Sequence, residues 1–198
     1  MVDRITTGTT DADRARVADT ICVCDAWPVV CEPFFQWVLQ DSLDDARPPY
    51  EQLRTQLVAD VEPYELMKLR LLNARHQGLC YFARLRGYRL VHDATADPLI
   101  AAFLRADMDE EGSPTLKPVP GIDLDAYKSE LIARFSNPSV RDTVAGLCNE
   151  SSDRISKWHV PVIVDQLAAG RSSCCTPSVR EPLWSSCSRS RLPGQSST

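Results

Sequence analysis

The stretch YELMKLRLLNARHQGLCYFARLRGY, residues 64–88, constrains this chain more than any other. It reads as one long helix. Pro63 suits its first turn, where a missing N–H costs nothing, and Gly87 suits its C-terminal cap, so the expected span is about residues 63–86. Lys68, Asn73 and His76 interrupt its apolar content. At about 100° per residue, His76 lies about 80° round from Lys68 and Asn73 about 140° round, spread over roughly 12 Å of axis. One broad face therefore carries all three, and their side chains can converge on a small molecule. Leu66, Leu69, Leu71, Leu79, Phe82 and Leu85 are expected to supply packing elsewhere around the helix. The plainer alternative is a solvated lysine and asparagine beside a surface or core histidine, and spacing alone does not choose between them.

Around this helix the chain predicts a mainly helical fold with a small β element. Residues 11–20 form a short helix. Residues 27–41, WPVVCEPFFQWVLQD, are β-branched and aromatic and read as one or two strands broken near Glu32 and Pro33. Residues 97–111 form a second long helix with an acidic end. A third follows in DLDAYKSELIARFS, capped by Asp123 or Asp125, and a fourth is expected after it with Asn137 as N-cap and Pro138 at its first position. ISKWHVPVIVDQLAAG reads as a strand or turn leading into a fifth.

The net charge of -5 and pI near 5.2 argue against a nucleic-acid surface, which needs a basic patch to displace counterions. No apolar run reaches membrane-span length, and the N-terminus has no secretory h-region, so the expectation is a cytoplasmic protein with no membrane partner. The eight cysteines show no C-x-x-C pair, and no metal-ligand cluster is visible. Cys31, Cys80 and Cys148 lie in apolar segments and are expected to be buried free thiols. After Gly170 the chain turns Ser-, Arg- and Cys-rich without periodicity. Residues 171–198 are therefore expected to be a disordered tail, or the product of a shifted reading frame.

MVDRIT, VVCEPFFQWVLQD, VEPYELMKLRLLNARH, TLKPVPGIDLDAYKSELIARFSNP and the RDT that follows occur in this order. Together they resemble the long-chain polyol dehydrogenase family of mannitol 2-dehydrogenase and fructuronate reductase (mannonate oxidoreductase), over residues 1–170. K-x-x-x-x-N-x-x-H after E-x-M-K-L-R-L-L is the most specific of these motifs. The resemblance implies a multi-helical C-terminal dehydrogenase domain of the 6-phosphogluconate-dehydrogenase type. In that family an N-terminal Rossmann domain binds NAD or NADP. The chain's eight glycines contain no G-x-G-x-x-G, so that domain is read as absent and no cofactor is expected to bind this chain alone.

By the same resemblance Lys68 is the catalytic base, which takes a hydroxyl proton as hydride leaves the same carbon. A lysine does this only if its pKa is lowered from about 10.4 by burial or positive neighbours. Asn73 and His76 match the family residues that hold the alkoxide-like oxygen, with no metal involved. Asp3 matches the acidic residue of VDRIT, there to bond a substrate hydroxyl or relay a proton; its alternative is a charged residue on a fraying terminus. Arg154 matches a basic substrate-binding position. The implied reaction is oxidation of a polyol or sugar acid to a ketone, of the mannitol-to-fructose or mannonate-to-fructuronate type, by this chain together with a nucleotide-binding half. The chain departs from the family at Thr7 (usually Pro), Gly146 (usually Arg), Glu150 (usually Asp) and Ser151 (usually Gly). Those departures favour the alternative, a non-catalytic remnant or binding domain.

Overall fold

The structure, a computed structural model, describes residues 1–42 and 47–171. The 171–198 tail expectation therefore lies outside the described residues, apart from Arg171. The fold is mainly helical, with one three-stranded sheet at its N-terminal end. β1 (Val2–Asp3) runs antiparallel to β2 (Gln36–Gln40), and β2 runs parallel to β3 (Gln56–Val58). Between β1 and β2 lies α1 (Asp11–Ile21), opened by a capping box in which Thr10 and Asp13 exchange hydrogen bonds. The Met1 ammonium donates to the Val38 carbonyl at 2.7 Å, so the N-terminus is tied down rather than frayed.

The central helix is continuous from α2 (Glu62–Met67) through a π-helical turn at Lys68–Asn73 into α3 (Ala74–Leu85). It ends in a Schellman motif: Tyr88 N–H donates to the Ala83 carbonyl, Gly87 N–H to that of Arg84, and Gly87 takes φ +85°. Met67, Leu71, Leu72, Leu79 and Ala83 bury its inner side. Leu85, expected to pack, is 63% exposed because the helix has by then run past the core.

Against it pack α4 (Val91–Thr95) and α5 (Pro98–Asp107), and α6 (Leu124–Phe135) packs on those two. Asp97 caps α5 ahead of Pro98, and Asp123 caps α6, both as local chemistry dictates. The helix expected at Asn137–Pro138 is not there. The Asn137 side chain accepts from Ser139 N–H in a turn of its own, which competes with helix formation, and α7 (Val144–Cys148) starts only after Thr143. The last segment is helical from its start rather than a strand: α8 (Ser151–Arg154), a π-turn at Ile155–His159 and α9 (Val160–Ala168). Pro161 has no N–H to donate, and the wide turn just before it accommodates that loss. Among the described residues no helix is long and apolar enough to cross a membrane.

A third π-turn, Met108–Gly112, continues α5. The Lys68–Asn73 turn packs against both of the others. The fully buried Arg75–Asp107 ion pair braces this junction. Gly112 is there because nothing larger fits: a Cβ would lie 2.8 Å from Arg75 Nη2 and 2.9 Å from Leu71 Cδ2. Gly112→Ala is expected to destabilise the domain by about 1–3 kcal/mol through overpacking, read from the midpoint of urea unfolding. An unchanged midpoint would show that the junction yields freely.

Candidate active site

The π-turn changes how Lys68, Asn73 and His76 relate. In a π-turn the hydrogen bond reaches five residues back, as Ala74 N–H does to the Leu69 carbonyl. Residues five apart then take about the relation that residues four apart have in an α-helix, roughly 40° instead of 140°. Counting on through the α-helical residues, His76 falls about 20° to the other side of Lys68. The three side chains thus share a face about 60° wide, where a uniform helix spreads them over about 140°. The uniform-helix arithmetic therefore overstates the spread.

His76 is half-buried, and its ring stacks on Phe135 of α6 with centroids 4.1 Å apart. Burial pushes its pKa down to about 3, reinforced by the positive charges of Arg134, Arg154 and Lys68 and opposed by that of Asp3. The imidazole is therefore neutral at physiological pH, a donor or acceptor that carries no charge of its own. Lys68 and Asn73 are half-buried. The Lys68 ammonium makes no hydrogen bond or ion pair with the described residues, and Asn73 Oδ1 is buried without a partner among them. Both are uncommitted among the described residues. A cleft beside His76 is lined by Ile5, His92, Phe135, Asn137 and Asp142.

Asp3 is 1% exposed, and both its oxygens are engaged inside the protein. Tyr127 Oη donates to Oδ2 at 2.8 Å, and Arg134 donates to both oxygens, at 3.2 and 2.7 Å. Arg134 also donates to both oxygens of buried Glu32, at 3.0 and 2.7 Å, and lies 3.9 Å from the Phe34 ring centroid. Glu32 in turn accepts from Ile5 N–H. So Asp3 faces Arg134 rather than an open substrate surface, and its charge reaches His76 through space. Arg154 is half-buried on α8, 3.4 Å from the Leu147 carbonyl and 5.6 Å from the Trp158 ring centroid, and its charge also bears on His76. Arg134, Glu32, Tyr127 and Phe135 were not picked out from the sequence. The one available signal was Glu32 itself, a carboxylate set in an apolar run. Gly146 is closely fitted as well: a Cβ there would lie 2.9 Å from Thr143 Oγ1, the hydroxyl that caps α7.

Cys80 is buried as expected and Cys148 half-buried, but Cys31 is exposed: it lies in the isolated bridge to Thr6, outside the core cluster. Among the described residues, no group of three or more His, Cys, Asp and Glu side chains is placed to hold a metal ion.

His76 makes stability depend on pH. The unfolded imidazole takes up a proton near pH 6.5, and the folded one does so only near pH 3. Between these values the unfolded state binds more protons, so its contribution is present above pH 6.5 and is lost as pH falls toward 3. Urea unfolding of the wild type is expected to lose stability from pH 7 to pH 5 by up to about 1.4 kcal/mol per unit more than His76→Gln does. Parallel pH curves for the two proteins would contradict the burial of His76.

A mostly helical domain built around one long central helix with a small three-stranded sheet is of the kind found in polyol dehydrogenases. This chain belongs to the mannitol dehydrogenase C-terminal domain family, whose model matches residues 60–174. It is 47% identical over 167 residues to mannitol dehydrogenase 2 of Saccharomyces cerevisiae, covering 84% of this chain and 33% of the relative. It is 43% identical over 173 residues to mannitol 2-dehydrogenase of Phaeosphaeria nodorum, covering 86% and 30%. Among solved structures, mannitol 2-dehydrogenase of Pseudomonas fluorescens in ternary complex with NAD and D-mannitol matches with TM-score 0.79 and 47% identity, over 87% of this chain and 35% of that one. Substrate-free D-sorbitol dehydrogenase matches with TM-score 0.80 and 32% identity, over 87% and 36%. The chain spans about a third of the length of the curated relatives it matches.

Proposed function

We propose that this domain is the substrate-handling half of an NAD(P)-dependent polyol or sugar-acid dehydrogenase, and that Lys68, Asn73 and His76 carry its chemistry. The observation behind the reading is the π-turn, which brings Lys68 and Asn73, both without a partner among the described residues, onto one narrow face with His76, which lines a cleft. Lys68 takes the proton of the secondary hydroxyl that is oxidised. Asn73 and neutral His76 donate to the same oxygen as it becomes alkoxide-like, and both are worth most in the transition state, when that charge is greatest. A neutral histidine suits this role, since it stabilises the oxygen without competing to give up a proton. The Asp3–Arg134–Glu32 network positions Phe135, on which His76 stacks, and Arg154 on α8 is the residue we assign to a distal hydroxyl or carboxylate.

The described residues do not fit a nicotinamide dinucleotide. Between the parallel strands β2 and β3 the described residues form a short 3₁₀ turn (Tyr50–Leu53), and the sequence there holds no glycine for a turn that would open a helix onto a pyrophosphate. The hydride acceptor is therefore assigned to a separate nucleotide-binding half. The reading is tested by joining such a half from a mannitol 2-dehydrogenase to Met1 and following NAD reduction with D-mannitol, D-sorbitol and D-mannonate. Turnover on one of them, absent from the unfused chain, supports the proposal. A correctly folded fusion that turns over none favours the non-catalytic alternative.

A further inference from the structure

We propose that Cys80 and Cys148 form a peroxide-responsive dithiol, a modification site in which oxidation joins α3 to α7 by a disulfide. The two residues come from helices that pack directly on one another, 68 positions apart in sequence. Both thiols are free, and the Cys148 side chain reaches back to the Cys80 residue itself. Cys148 Sγ lies 3.8 Å from the Cys80 carbonyl, and Cys80 Sγ 3.1 Å from that of Gln77. Their exposures divide the roles. Cys80 is fully buried, and burial together with Cys148 pushes its pKa up to about 12, so it is inert alone. Cys148 is half-buried and ends α7, where Asn149 and the left-handed Glu150 turn the chain into α8. It is the thiol a small oxidant reaches.

The chemistry closes with hydrogen peroxide as oxidant. The Cys148 sulfur, giving up its proton, attacks one peroxide oxygen. An S–O bond forms, the O–O bond breaks, and the departing hydroxide takes that proton as the first water. The Cys80 sulfur then attacks the sulfenic sulfur. An S–S bond forms, the S–O bond breaks, and the leaving hydroxide takes the Cys80 proton as the second water. Two thiols lose two electrons, and one peroxide becomes two waters. The cross-link would tighten a seam next to the site. Gln77, adjacent to His76, donates across it to the Leu147 carbonyl at 3.2 Å and to Ser151 Oγ at 3.3 Å.

The test uses the full chain with Cys22, Cys24, Cys31, Cys174, Cys175 and Cys187 changed to Ser. It is treated with a small excess of hydrogen peroxide, alkylated, and examined by non-reducing gel and peptide mass spectrometry. The expected result is equal loss of both thiols, a faster-migrating monomer restored by dithiothreitol, and a peptide linking Cys80 to Cys148. In the same background with Cys80→Ser, Cys148 should stop at a sulfenic acid that dimedone traps. If the six-serine chain does not fold, differential alkylation of the wild-type chain reads the same two sites. Oxidation of Cys148 to sulfinic acid with Cys80 intact, or no reaction at either thiol while the exposed cysteines react, overturns the proposal.

Discussion

Lys68→Ala, made in the chain joined to a nucleotide-binding half, is expected to lower turnover about 10²–10⁴-fold, the range of a positioned general base. Within the described residues the narrow face offers no second group to replace it. His76 is a neutral ring held down to about 3, so it is a poor proton acceptor, and the Asp3 carboxylate is sealed behind Arg134 and Tyr127. Asn73→Ala and His76→Ala are each expected to cost on the order of 10²–10³ in turnover, as the loss of one oxyanion donor does. Those losses should fall on kcat more than on KM, because the donors act on charge that develops in the transition state. A KM effect alone would place these side chains at the substrate's periphery.

Arg134→Ala is expected to be the most damaging single change to the fold. It strips the counter-charge from two carboxylates, Asp3 at 1% exposure and Glu32 at 5%, and leaves both buried. Breaking a buried pair in this way costs about 3–5 kcal/mol, a large part of the roughly 5–15 kcal/mol that holds a domain folded. The loss would weaken the join between β1 and α6, where the Tyr127 hydroxyl would be left as the remaining partner of Asp3. Urea unfolding followed by circular dichroism reads the effect. A loss under about 1 kcal/mol would mean that water reaches the carboxylates freely.

What the sequence disclosed was the chemistry of short range. Asp97 before Pro98, Asp123 ahead of α6 and Gly87 after α3 each satisfy backbone groups within a few residues, so the helices they bound were legible. Asn137 shows the limit of the same reasoning, because its side chain serves a cap or an isolated turn equally well, and here it makes the turn. The opening of ISKWHVPVIVDQLAAG, read as a strand or turn leading into a fifth helix, is already helical as a π-turn that packs on α9 and α3. The π-turns were beyond reach, since tertiary neighbours such as the Arg75–Asp107 pair and Gly112 hold them in place. The same holds for the site. Lys68, Asn73 and His76 sit close enough in sequence to be noticed together. Asp3, Glu32 and Arg134 are brought together across 102 and 131 positions, and no local pattern announces that.

Chemical rescue of Lys68→Ala tests the account most directly. Turnover of the fused Lys68→Ala protein would be measured with rising concentrations of methylamine, whose nitrogen can occupy the space the side chain leaves. If Lys68 is the base, the crippled rate rises with amine and levels off below that of the parent. A Lys68→Ala protein that works at the parent's rate, with no response to amine, would contradict the claim that this face of the central helix carries the chemistry.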